Sequence, residues 1–196
     1  DAKLTLKAWH NIVVNRDIAS TSGKLGFDFL SASDDKNGGG YIRVNAVHLN
    51  TNGGNLLLHG GTNRDGVDYA SSSWDAAGIL LNGTTIDTSG GSVILKGVTN
   101  HAGHGGVQLD GATITAGNTG TIQLVSRNDG GGDDLSVDSA SHLQAGRIVL
   151  AADKAKLEGA FQGIDSSLTP APAAGATAEI TVAPRTASRN VSIGGT

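Results

Sequence analysis

The sequence predicts an all-β fold, a parallel β-helix wound from three-strand coils, and three observations predict it. A module of the form apolar-x-apolar-Asn/Asp recurs at Ile12-Val14-Asn15, Ile42-Val44-Asn45, Ile79-Leu81-Asn82, Val107-Leu109-Asp110 and Leu135-Val137-Asp138. Each copy is followed by a lone aliphatic (Ile18, Leu49, Ile86, Ile114, Leu143) and then by a third apolar run, usually after glycine. The copies repeat every 28 to 37 residues, and none is large enough to bury its own apolar face, which is how a solenoid looks in sequence. Lastly, 30 glycines, 4% aromatics and period-two strands without helical periodicity suit a narrow aliphatic interior with many sharp corners.

Taken in order, residues 1–29 hold Leu4 and Leu6, then Ile12 to Val14, Ile18, and Leu25 with Phe27 and Phe29. A polar loop over 30–40 leads into a second turn from Tyr41 to His59. A long loop from Gly60 to Ala77 follows. The third and fourth turns, Gly78 to Lys96 and Gly106 to Val125, flank GVTNHAGHG; RNDGGGDD then precedes a fifth, Leu135 to Ala151. The variable loops all leave between the third strand of one turn and the first strand of the next, so a coil stacks them along one edge, where binding faces of repeat proteins gather. Past Ala152 the register weakens: Leu157 and Phe161 offer one more turn, LTPAPAAGATA is an irregular excursion, and Glu179 to Val182 with Val191 to Ile193 return to strand. The expected organisation is one β-helical segment, 1–196, of a larger protein, with regular coils over 4–152 and a less regular close over 153–196.

The net charge of −4 offers no basic stripe for nucleic acid. Absence of cysteine excludes a disulfide scaffold, and no apolar run reaches the roughly 18 residues of a membrane span.

Several stretches carry a family resemblance. NIVVNRDIASTSGKL with NGGGYIRV, GILLNGTTIDTSGGSVILKG and GVQLDGATITAGNTGTIQL resemble repeats of large filamentous-haemagglutinin-type exoproteins of Gram-negative bacteria. ITVAPRTASRNVSIGG resembles a segment found after such repeats, with Pro184, Thr186, Arg189 and Gly194 in the expected positions. The resemblance covers most of 4–152 and 178–195. It implies a right-handed helix in a secreted, surface-held adhesin exported by two-partner secretion through a dedicated outer-membrane transporter. It supplies no catalytic residues, and this segment does not include the family's amino-terminal secretion domain.

Five sets of residues are candidates for chemistry. Asn15, Asn45, Asn82, Asp110 and Asp138 sit at one corner of successive turns, where Asn and Asp tolerate left-handed backbone and stack at roughly 4.8 Å into a hydrogen-bonded ladder. Two stacked carboxylates at its lower end repel unless splayed, protonated or bridged by a cation. Asp34, Asp35 and Asn37, and Asn128, Asp129, Asp133 and Asp134, are oxygen-rich loops of the kind calcium uses, although the spacing fails the tandem calcium repeat and solvated loop charge is the simpler reading. His101 and His104 have chelating spacing without a third ligand. In the long loop, Tyr69 and Trp74 with Arg64, Asp65, Asp68 and Asp75 would make a sugar-stacking platform if exposed; folded back, the aromatics would instead bury themselves over the barrel. Catalysis has the weakest case: the outward positions of the first strands, Val13, Arg43, Leu80, Gln108 and Ser136, contain no acid–base pair, and neither GxSxG nor HExxH occurs.

The expectation is therefore a non-enzymatic, cofactor-free adhesin rod, extracellular on a Gram-negative cell, whose loop edge meets a carbohydrate or a surface receptor. A polysaccharide-processing β-helix and a ligand-free spacer are the alternatives.

Overall fold

Runs of two to eight residues turn one face of each segment inward, and a polar corner after most runs turns the chain. The computed structural model describes residues 1–33, 39–72, 76–163 and 177–188. Among these the chain forms only strands, wound as a right-handed parallel β-helix with three sheets. The first sheet stacks β2 (Ile12–Val14), β5 (Ile42–Asn45), β10 (Ile79–Asn82), β13 (Val107–Asp110), β16 (Leu135–Val137) and β19 (Ala155–Leu157). The second stacks β3 (Ile18–Ala19), β6 (His48–Asn50), β11 (Thr85–Asp87), β14 (Thr113–Thr115), β17 (His142–Gln144) and β20 (Ala160–Gln162). The third stacks β1 (Ala2–Lys7), β4 (Leu25–Ser31), β7 (Leu56–Gly60), β12 (Val93–Thr99), β15 (Thr121–Asn128), β18 (Arg147–Ala151) and β21 (Glu179–Ala183).

The register carries like onto like. Ile42, Ile79, Val107 and Leu135 form one inward column, Leu49, Ile86, Ile114 and Leu143 a second, and Leu56, Val93, Ile122 and Ile148 a third. All twelve are fully buried, and each contributes on the order of 1.5–3 kcal/mol. A one-residue slip would turn a whole column to solvent, so the aliphatic pattern fixes the winding. The weaker turn through Leu157 and Phe161 forms as expected, with Phe161 in register with Leu143.

Two readings change. Leu4 and Leu6 lie on β1, which pairs with β4, so the chain enters on the third sheet one coil earlier than the first triplet. The segment Gly60 to Ala77 is not a plain loop. Asp65 and Gly66, at φ 55° and 74°, close a tight antiparallel hairpin of β8 (Thr62–Arg64) and β9 (Val67–Ser72). β9 then joins the third sheet parallel to β12, Ala70 opposite Gly97 and Ser72 opposite Thr99. β12 and β15 run past the coil to receive it, and Tyr69, Val98 and Val125 pack a second small core there. Gly60 permits this: a side chain there would strike the Tyr69 carbonyl of β9.

Candidate functional site

The extension of the third sheet places three loop systems side by side on the edge between third and first sheets. Arg64 and Asp65 come from the hairpin tip, Arg127, Asn128 and Asp129 from the end of β15, and Arg185 and Thr186 from the chain after β21. The Arg127 Nη1 donates to both oxygens of Asp65 at 2.8 and 2.7 Å, and its Nε donates to Asp129. Arg64 pairs with Asp129 and Arg185 with Asp65, giving the unbroken chain Arg64–Asp129–Arg127–Asp65–Arg185. The Arg127 hydrogen bond, reinforced by Arg185, holds the Asp65 carboxyl below the ordinary range against partial desolvation. Asp129 in turn raises Arg127.

The floor beneath is anchored by carboxylates turned inward. Asp134 is buried and accepts from three backbone amides, Asn128 at 2.6 Å, Asp153 at 2.7 Å and Lys154 at 3.0 Å. The Asn128 side-chain amide donates to the carbonyls of His101, His104 and Asp133 at 3.0, 2.7 and 3.2 Å. Burial pushes the Asp153 carboxyl up, but the Thr186 hydroxyl and amide and the Arg185 amide outweigh it and bring it below the ordinary range. The Thr186 amide reaches it at 2.7 Å. Between these elements lies a polar groove of ≈ 600 Å³, floored in part by Gly131 and Gly132.

The residues expected at this edge are partly brought together. Arg64 and Asp65 stand at its rim, and Asp68 accepts from Asn63 across the hairpin at 3.1 Å. Tyr69 is fully buried, so it is the hairpin's anchor and not an exposed stacking ring. Arg185 lies over its face, 5.5 Å from the centroid. Burial raises the Tyr69 phenol pKa, and its hydroxyl has no partner among the described residues. Trp74 and Asp75 lie outside the described residues, as do Asp34, Asp35 and Asn37 of the first acidic loop. In the second acidic loop Asp134 is spent on amides, Asp129 on two arginines, and Asp133 pairs with Lys154 at 3.3 Å. Among the described residues no group of three or more His, Cys, Asp or Glu side chains is set to hold a metal ion. The rings of His101 and His104 are 5.5 Å apart; His101 Nδ1 accepts from the Gly103 amide at 3.2 Å, and His104 Nδ1 lies 3.2 Å from Gln108 Oε1.

The corner ladder is real at its upper end, where Asn45 donates to Asn15 at 2.8 Å, and Asn82 follows in register. Its backbone logic is different from that expected. The left-handed residue is the next one, Ala46, Gly83 or Gly111 at φ 47°, 55° and 63°; no ladder residue has positive φ. The two carboxylates splay: Asp110 accepts from the Gln108 side chain at 2.9 Å, whereas Asp138 turns to the Gly111 amide at 2.9 Å and the Ser141 hydroxyl at 2.6 Å. Burial, with the Asp138 charge adding to it, raises Asp110, and hydrogen bonds from Ser141 and Gly111 lower Asp138 against its own desolvation.

Sequence reasoning missed Arg127, Asp153, Lys154 and Arg185. Only the Asp-Gly turn at 65–66 signalled that a hairpin would bring them a partner. Compared with family models, curated proteins and solved structures, the chain matches none of them.

Proposed function

We propose that this chain is a segment of a secreted bacterial surface adhesin, a β-helical rod whose loop edge binds a polysaccharide, a matrix or a partner cell. The observation that carries the reading is the ridge. Loops from separate coils and the hairpin share one edge, tied by charged side chains into a single surface over a stack of parallel strands. Function sited on loops held by a rigid scaffold is a common arrangement. The resemblance to filamentous-haemagglutinin-type repeats supports the same reading, and with it display outside a Gram-negative cell and an outer-membrane transporter as partner during export. No nucleic acid and no cofactor enter the proposal. No helix among the described residues is long and apolar enough to cross a membrane. Binding without turnover is supported by the ridge carboxylates, each already engaged by arginine, lysine or amide donors.

A ligand-free spacer is the second reading, favoured by the same internal pairing of the ridge charges. Beads coated with the 196-residue chain separate the two. The adhesin reading expects adhesion to bacterial or host surfaces well above uncoated beads, lost with the ridge variant Arg127→Glu and kept with Lys7→Glu at the far end of the third sheet. Adhesion no greater than that of uncoated beads, from a folded chain, overturns it in favour of the spacer.

A further inference from the structure

The ridge groove has a composition that selects among ligands. Every residue that lines it is charged, polar or glycine, which gives an apolar peptide or a lipid tail little to bury. Its charge is nearly balanced: Arg127, Lys154 and Arg185 stand against Asp65, Asp129 and Asp153, while Asp134 is spent on amides. A polyanion would have to displace carboxylates from guanidinium groups they already hold, and a polycation would have to displace the guanidinium groups. Hydrogen-bonding capacity nevertheless remains. Arg127 spends Nε and Nη1, leaving Nη2 with no bond among the described residues; each carboxylate oxygen can accept more than one donor. A hydroxyl can donate to a carboxylate while accepting from a neighbouring guanidinium, so alternating Arg and Asp suits adjacent hydroxyls on a ring.

A second observation points the same way. Gly131, whose missing side chain faces open space, lets a flat ring approach the floor. At ≈ 600 Å³ the groove has the size of a small-ligand site, typically about 300–1,000 Å³.

We infer that this groove recognises a neutral, hydroxyl-rich oligosaccharide. The inference rests on the adhesin reading and names the ligand class of its ridge.

The test is an NMR titration of the 196-residue chain with neutral gluco-, galacto- and manno-hexaoses, beside an anionic hexagalacturonate and a cationic chitosan hexamer. At least one neutral hexaose is expected to shift the amides of Gly131, Gly132, Lys154 and Thr186, with an affinity nearly unchanged by added salt. Arg127→Lys keeps the charge but not the two-armed donor, and is expected to weaken that binding about tenfold, the scale of a lost charge-assisted hydrogen bond. Binding of only the charged hexamers overturns the ligand class and leaves the adhesin reading intact. Shifts lying away from the groove, or no binding at millimolar sugar while coated beads still adhere, overturn the site and again leave that reading. Failure of both the titration and the bead assay removes both.

Discussion

Ala46, Gly83 and Gly111 occupy one corner of successive coils, each left-handed, each directly after a ladder residue. The Asn or Asp supplies side-chain hydrogen bonds and the following residue supplies the bend, so two roles that look like one in the sequence are divided between neighbours. Where the ladder passes from Asn to Asp the division becomes costly. Asp110 is partly desolvated beside Asp138, and its folded pKa is raised, so its charge opposes folding at neutral pH. Asp110→Asn removes that charge and is expected to stabilise the chain at pH 7 by about 0.5 kcal/mol, the scale of a like-charge pair across strands. For a chain of this size that is roughly a 1–2 °C rise in Tm. A group with a raised folded pKa binds its proton more tightly when folded, so protonation lifts the penalty. The gain should therefore shrink as pH falls through the folded pKa and vanish below the unfolded value near 3.9. Thermal melts of both proteins between about pH 7 and pH 3 read this directly; a gain that persists in acid would show that charge is not its cause.

The β8–β9 hairpin is the element that turns a plain coil edge into a ridge. It rests on Tyr69 packed against Val98 and Val125 from within, and on Asp65 gripped by Arg127 and Arg185 from without. Asp65 and Asp153 both have folded pKa values below the ordinary range, so their contribution is present above the unfolded value near 3.9 and is lost as pH falls through the folded ones. Hydrogen-exchange protection of the hairpin amides is expected to hold from neutral pH to about pH 4 and to fall below it, while β10 and β11 stay protected. Equal loss in hairpin and coil would place the hairpin's stability in the core instead. The hairpin also marks the limit of what the sequence discloses. Triplets such as Ile79-Leu81 with Ile86 announce their coil because three columns must each stay apolar through every turn. TNRDGVDY shows no such alternation: its strands are polar because they lie over a sheet extension with one buried tyrosine, and Asp65-Gly66 is the lone turn signal. Arg127 and Arg185, 58 residues apart in the chain, meet only because β9, β15 and β21 belong to the same sheet. No local pattern records that.

At the scale of the whole molecule, stability is distributed coil by coil, each rung resting chiefly on the rungs above and below. Seven strands of the third sheet at about 4.8 Å make a stack roughly 29 Å tall, with Leu157 and Ile180 half exposed on the last rung. The geometry treats the two kinds of corner very differently. Gly83 lies between strands whose register is shared with Asn45 above and Asp110 below, and extra residues there would misalign every rung after it. Gly131 lies where the chain already wanders between coils, and a side chain added there meets nothing within 4 Å. A six-residue polar insertion after Gly131 is expected to leave far-ultraviolet circular dichroism and Tm nearly unchanged, whereas the same insertion after Gly83 should abolish the cooperative melt. Equal tolerance at both corners would show that shared register does not constrain the winding. Where it does, lengthening is tolerated at a loop tip such as Gly131 and excluded at the corners that share register. A lineage built on this scaffold can lengthen such tips, generation after generation, without renegotiating how it folds.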